Sequence, residues 1–296
     1  MQTIMLMATP AGLYLVGLFS FVYPLVWLQK RRQKGKGSPL SGRLLRSPGA
    51  SLQNRIDDLS VEIMAYVAAV PAFPLLIYSL YLPLLHAQKL TPFNVSLLMV
   101  TLAGVLSLIG LKLYHLMKER NLCRLGLNAE MSVGQELNQL MCKRFRVYHD
   151  VPAENFNIDH VAVGPNGVYA VETKGRSKAL RKKGKMDVTV AYDGQKLEFP
   201  GWYETEPLLQ AQRQADWLRE WLTSAVGSPV SVQAVLALPG WYVVRKADQP
   251  IRVISGKEAY TLAKPNGITL DDEMIQRIAH QLEERCREVE PAVCNT

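Results

Sequence analysis

Long apolar runs distinguish the first 120 residues from the rest of the chain. Residues 4–28 contain no charged side chain and are long enough to cross a bilayer as a helix. Residues 63–86 also lack charge, and residues 95–116 carry only Lys112. We therefore expect residues 1–120 to form a transmembrane region with three helices, although a buried helix pair in a soluble protein is an alternative for the second and third runs.

After position 121 the apolar residues follow the shorter periods of an α/β domain, which we expect to cover residues 121–296. Helical spacing predicts helices over 129–142, 207–224 and 271–287. Short apolar runs predict strands over 147–150, 157–163, 168–174, 187–192, 230–238 and 251–255. This order predicts a mixed sheet flanked by helices, with a lysine-rich exposed loop over 175–186.

The charge distribution divides the chain at the same place. Residues 1–120 hold 12 basic and 4 acidic residues, whereas residues 121–296 hold 22 of each. Eight of the basic residues lie within the loop at 30–61, and only Lys89 lies between the second and third runs. The positive-inside rule then places the N-terminus outside and the C-terminal domain in the cytoplasm. We expect a multi-pass membrane protein, of the kind found in a bacterial inner membrane, with an uncleaved first helix because its basic residues follow the apolar run.

Candidate chemistry is concentrated in a predicted hairpin around the turn sequence GPNG at 164–167. If these four residues form the turn, Asp159 lies opposite Glu172. If only the last two form it, Asp159 lies opposite Lys174. Both registers place the three side chains on one face, because side chains alternate along a strand.

Two carboxylates and a lysine within apolar strands are costly to bury unless they have a function. Carboxylate oxygens are the ligands that Mg²⁺ prefers, and a lysine nearby can orient the attacking water or stabilise a phosphate. Glu130 strengthens this interpretation, because helical spacing places it on the apolar stripe with Val133 and Leu137.

The motifs resemble those of the nuclease-related domain, NERD, a branch of the PD-(D/E)xK nuclease superfamily. Three matching segments form the hairpin: Ile158-Asp159-His160, the turn at 164–167, and Glu172-Thr173-Lys174. Two helical motifs match with one replacement each: Ala129-Glu130-x-x-Val133-x-x-x-Leu137, where the family begins with Gly, and Glu206-Pro207-x-x-Gln210, where the family begins with Asn. The resemblance covers about residues 126–240.

The resemblance implies a restriction-endonuclease-like fold and Mg²⁺-dependent hydrolysis of phosphodiester bonds, with Mn²⁺ as a possible substitute and DNA favoured over RNA. The metal ligands that the resemblance implies are the carboxylates of Asp159 and Glu172 and the backbone carbonyl of Thr173. Lys174 is then the catalytic lysine, Glu130 acts through the water shell of the metal, and Gln210 positions the substrate or the lysine.

Other features leave alternatives open. The basic residues expected to contact nucleic acid are Lys178, Arg181, Lys182, Lys183 and Lys185, and a solvated loop explains them equally well. His160 is either functional or a hydrogen-bonded packing residue. A non-catalytic, membrane-tethered module that binds nucleic acid or protein is the main alternative to a nuclease, and the neutral charge of residues 121–296 fits it. A transporter is disfavoured, since no Asp, Glu, Lys or Arg lies in the middle of a predicted span.

Overall fold

The computed structural model describes residues 44–86, 91–178, 188–246 and 251–287. The chain forms two compact units. Of the described residues, the first unit holds 55–86 and 91–121, and the second holds 44–54 and the parts that follow 121. The first predicted span, 4–28, and residues 30–43 of the predicted basic loop lie outside the described residues.

Two long helices carry the second and third predicted spans. Helix α1 is Ala50–His86 and helix α2 is Pro92–Asn138. Helix α1 begins well before position 63, so residues 50–61 are helical and do not belong to a loop. The helix predicted from position 129 is the last part of α2, because no proline after Pro92 interrupts the helix; a 3₁₀ turn, Gln139–Lys143, follows it.

Within the first unit, α1 and α2 pair through a few buried side chains and two ion pairs. The buried apolar residues of this pair are Ile56, Leu59, Ile109 and Leu116. Arg55 Nη2 lies 2.6 Å from Glu119 Oε1, and Lys112 Nζ lies 3.3 Å from Glu62 Oε1. The earlier residue of α1 pairs with the later residue of α2, and the later residue of α1 with the earlier residue of α2. The two helices are therefore antiparallel.

Most of the remaining apolar surface of these two helices is exposed; Leu108 and Val100, for example, are 69% and 68% exposed. By length and composition, the helical segments Ala50–Ser79 and Pro92–Lys143 are each able to cross a membrane. A core helix of a soluble protein passes the same test of composition but is mostly buried, whereas 0% and 6% of the most apolar stretches of these two segments are buried.

The second unit is built on a five-stranded mixed sheet, which confirms the predicted α/β class. Its strands are β1 (Arg146–Pro152), β2 (Asn157–Gly164), β3 (Gly167–Thr173), β7 (Val232–Ala237) and β9 (Arg252–Ile254), in that spatial order. Strand β2 pairs antiparallel with both β1 and β3, whereas β3, β7 and β9 run parallel to one another.

The second sheet has four strands. Three of them come from the segment of the chain between β3 and the next helix, and the fourth comes from later in the chain. Its strands are β6 (Trp202–Glu204), β5 (Leu197–Phe199), β4 (Thr189–Tyr192) and β8 (Tyr242–Arg245), in that spatial order. Only β4 corresponds to a strand predicted from the sequence. Residues 179–187, which contain most of the lysine-rich stretch, lie outside the described residues.

Helices cover both faces of the five-stranded sheet. Helices α3 (Glu206–Val226) and α4 (Asp272–Cys286) pack on one face through Leu218 and Ile278. The end of α2 and a 3₁₀ helix, Gly256–Ala263, pack on the other through Val133 and Leu262. Both faces of β3 are therefore buried, including the polar residues Glu172 and Thr173 at its end.

Candidate active site

The β2–β3 hairpin adopts the first of the two predicted registers. His160 pairs with Val171, and the ladder continues regularly to Gly164 opposite Gly167. The turn is therefore closed by these two glycines, and Gly167 has a φ of +118°, which disfavours any other residue. One step beyond His160, the same register places Asp159 opposite Glu172.

Glu172 is the most enclosed member of the predicted site, at 1% exposure. Its Oε1 lies 2.5 Å from Nζ of Lys174, which is half-buried at the end of β3. Its Oε2 accepts a hydrogen bond of 2.6 Å from Nε2 of Gln214 on helix α3. A buried carboxylate is thus balanced by one cation and one amide, as burial of a charge requires.

Asp159 is half-buried and binds to the backbone of the neighbouring strand. The Thr173 amide donates to Asp159 Oδ2 over 2.7 Å. Burial and the charges of Glu172 and Glu130 raise the pKa of Asp159 well above its usual range, against the opposing effects of the Thr173 amide and Lys174. These carboxylates therefore act on one another electrostatically.

Glu130 joins this group from helix α2, as its position on the apolar stripe predicts. It is 8% exposed, and Val133 and Leu137 on the same stripe are fully buried. Burial raises the pKa of Glu130 to about 7, with further contributions from the charges of Asp150 and Glu172 and a smaller opposing effect of Lys174. A carboxyl group with a pKa near 7 can hold or release a proton at neutral pH.

Gln214 lies beside Glu172, whereas the resemblance names Gln210 as the residue that positions the substrate or the lysine. Gln210 is half-buried one helical turn earlier, whereas Gln214 is 2% exposed and donates also to the Asn157 carbonyl over 3.3 Å. A signal for Gln214 does exist in the sequence. It lies among the buried helix positions Ala211, Ala215 and Leu218, where a polar side chain needs a partner.

His160 lies in a buried pair with His149. Their Nδ1 atoms are 2.9 Å apart, and His149 Nε2 lies 3.1 Å from Asn138 Oδ1. Since the amide oxygen accepts, His149 carries its proton on Nε2, and His160 Nδ1 donates to His149. Burial lowers the pKa of His149 to about 4 and that of His160 well below its usual range, so the pair is neutral. Within the described residues, His160 Nε2 has no hydrogen-bond partner.

The predicted phosphate-binding residues are only partly described. Lys178 donates to the Gly240 carbonyl, and its Nζ lies 5.6 Å from the centre of the Trp241 ring. The remaining predicted contacts, Arg181, Lys182, Lys183 and Lys185, lie outside the described residues. Arg176, just before them, is bound by Glu204 through Nε and Nη2.

Among the described residues there is no group of three or more His, Cys, Asp or Glu side chains placed to hold a metal ion. The acidic groups at the end of β3 nonetheless have suitable chemistry. Mg²⁺ is commonly held by one or two carboxylates, with water and substrate phosphates completing its shell. Asp159 and Glu172 supply two such groups, whose mutual repulsion a cation relieves. The donor set therefore fits a hard divalent cation once Lys174 moves away from Glu172.

Residues 125–239 match the family model of the nuclease-related domain, NERD. The match contains Glu130, Asp159, Glu172, Lys174 and Gln214, and it ends before β8, β9 and helix α4. No curated protein and no solved structure matches the chain. This stretch, which is less than half of the chain, is therefore similar to the nuclease-related domain.

Proposed function

We propose that this chain is a membrane-anchored, metal-dependent nuclease that hydrolyses phosphodiester bonds in DNA, or in RNA, on the cytoplasmic side. The observation that carries the proposal is the convergence of Asp159, Glu172 and Lys174 at the end of β3, within a stretch that matches the nuclease-related domain. The mixed sheet with helices on both faces supports a restriction-endonuclease-like fold for this domain.

Asp159 and Glu172 would hold Mg²⁺ or Mn²⁺, with the Thr173 carbonyl as a further ligand. The bound ion would supply Lewis-acid stabilisation of the phosphate and a more acidic water. Lys174, released from Glu172, would orient the attacking water or neutralise charge on the phosphate. Glu130, whose pKa lies at about 7, would accept a proton through a water molecule, and Gln214 keeps Glu172 oriented by its hydrogen bond.

Membrane anchoring is supported by the exposed apolar surfaces of α1 and α2 and by the positions of their charges. Glu62 and Lys112 neutralise one another at the end of the apolar stretch, and Arg55 and Glu119 pair two turns farther along. By the positive-inside rule, the basic residues of 30–61 favour a cytoplasmic position for this end of the helix pair. Lys178 and the basic residues after it would then contact the phosphates of nucleic acid.

A non-catalytic module of the same fold is the second candidate, and one observation favours it. Glu172 is already satisfied by Lys174 and Gln214, as in a purely structural ion pair. Such a module would bind nucleic acid or a protein without cutting it.

Two substitutions in the full-length protein, purified in detergent, distinguish the candidates. Asp159→Asn should abolish cleavage and weaken Mg²⁺ binding by at least about tenfold, because a ligand carboxylate is lost. Lys174→Ala should abolish cleavage but keep Mg²⁺ binding, because an ammonium group is not a ligand. Cleavage of DNA and RNA is measured with Mg²⁺, Mn²⁺ or EDTA, and metal binding by calorimetry.

Asp216→Asn is the matched control, since Asp216 forms an ion pair with Arg219 on the surface of α3. It should leave both cleavage and metal binding unchanged. If the wild-type protein binds neither metal and cuts no nucleic acid, the nuclease proposal is wrong and the non-catalytic module replaces it.

A further inference from the structure

Residues 44–54, which we call the strap, belong to the same compact unit as the candidate active site. The sequence pattern predicts that they lie in a cytoplasmic loop between two predicted spans. The strap instead consists of a short extended segment, a turn at Pro48 and Gly49, and the first residues of helix α1. It contacts helix α2 on one side and strand β1 on the other.

On the side of α2, the strap backbone lies directly beside Glu130. Gly49 has a φ of +71°, and a Cβ atom on it would overlap Leu127 Cδ1 and lie 3.6 Å from Glu130 Oε2. One helical turn after Glu130, a Cβ atom on Gly134 would lie 2.7 Å from Pro48 Cγ. Two glycines, one on each partner, therefore allow an approach that larger residues would prevent.

On the side of β1, the strap is held by the buried carboxylate of Asp150, which is 2% exposed. Ser51 donates to it twice, from the backbone N–H over 3.0 Å and from Oγ over 2.8 Å. Arg46 Nη1 and Asn157 Nδ2 donate to the same carboxylate over 3.2 Å and 2.9 Å. Asp150 thus ties the strap to β1 and, through Asn157, to the strand that carries Asp159.

We propose that the strap is a positioning element of the candidate active site, in which Ser51 and Asp150 hold the Gly49 backbone against the Glu130 carboxylate. The inference rests on the proposed nuclease function. The family match does not include the strap itself, which lies outside residues 125–239. Glu130 is then confined by the Gly49 backbone, while it interacts electrostatically with Asp150, Glu172 and Lys174.

The test removes one hydroxyl group from the full-length protein in detergent. Ser51→Ala deletes the hydrogen bond from Oγ to Asp150 and should lower kcat about tenfold with KM unchanged, as is typical when a group that orients a catalytic residue is lost. Ser51→Thr keeps the hydroxyl and should restore kcat. Ser60→Ala is the matched control, because the Ser60 hydroxyl donates over 2.6 Å to the Ile56 carbonyl within the same helix.

Hydrogen exchange separates this inference from the proposed function. Loss of the strap contact predicts faster amide exchange in Ser51→Ala both at residues 44–54 and at residues 127–134, but not in Ser60→Ala. Cleavage at the wild-type rate by Ser51→Ala, or unchanged exchange at 127–134, would overturn the inference. A wild-type protein that neither cuts nor binds metal contradicts the proposed function instead, and the exchange data still decide whether the strap constrains Glu130.

Discussion

Glu130 and His149 are both buried, yet they respond to pH in opposite directions. The pKa of Glu130 rises from 4.5 to about 7 on folding, so its contribution to stability is complete below pH 4.5 and is lost as pH rises through about 7. The pKa of His149 falls from 6.5 to about 4, so its contribution is complete above pH 6.5 and is lost as pH falls through about 4. The pH dependence of the whole protein is therefore a difference between opposing effects.

Substitution of Glu130 isolates one of these effects. We expect Glu130→Gln to match the wild type in stability near pH 4.5 and to exceed it at pH 8, because only the wild type must then ionise a buried carboxyl group. Over this range, the difference in unfolding free energy should change by roughly 2–3 kcal/mol. Urea denaturation of both proteins in metal-free buffer, at several pH values, provides the measurement.

Glu154→Gln is the appropriate control, since Glu154 lies exposed in the loop between β1 and β2. This surface substitution should change the unfolding free energy by less than about 0.5 kcal/mol. A Glu130→Gln difference that stays the same between pH 4.5 and pH 8 would show that Glu130 is not buried beside the other carboxylates.

Secondary-structure elements differ in how well the sequence predicts them. The hairpin is predictable because one turn sequence and strict alternation bring Asp159, Glu172 and Lys174 together in either register, and the structure selects the first. The strands β5, β6 and β8 are not predicted, and β8 is placed by its pairing with β4, about 50 positions earlier in the chain, which no local pattern reveals. The sequence predicts a membrane span over 95–116 and a separate helix from position 129, whereas both belong to the single helix α2. The prediction is divided because the apolar pattern changes from that of a membrane span to that of a soluble domain within this helix.

Helix α3 contains two glutamines one turn apart, Gln210 and Gln214, which differ in their contacts with Glu172. Gln214 donates to Glu172, whereas Gln210 makes no such contact. We expect Gln214→Leu to lower kcat by about 10- to 100-fold, because Glu172 loses the group that orients it. Gln210→Leu serves as the matched substitution and should change kcat by less than about twofold. Steady-state cleavage assays compare the two, and the reverse order of effects would restore Gln210 to the role that the resemblance implies.

At the scale of the whole molecule, features that depend on charge and hydropathy can be predicted from the sequence, whereas contacts between distant segments cannot. The long apolar helices follow from composition, and the structure describes two of the three predicted spans as helices. The strap is not predictable from the sequence, because it is held by Asp150, about 100 residues later in the chain. The importance of Gly49 and Gly134 is also visible only in the structure, where the strap and helix α2 are in contact. Residues predicted as a loop thus form part of the unit that contains the candidate site.

The orientation of the chain in a membrane is the prediction that decides whether the proposed activity can reach its substrate. Residues 30–61 carry eight basic side chains, whereas the segment between the second and third predicted spans carries only Lys89. The positive-inside rule therefore predicts that the C-terminal domain lies in the cytoplasm. A reporter fused after Thr296 should be active only if it functions in the cytoplasm, and one fused near Gln88 only if it functions outside.

As a control, exchanging the basic residues of 30–36 for glutamine should weaken or invert this pattern, because the charge asymmetry sets it. Swapped reporter activities in the unmodified protein would place residues 125–239 outside the cell, away from cytoplasmic nucleic acid, and would contradict the proposed site of action.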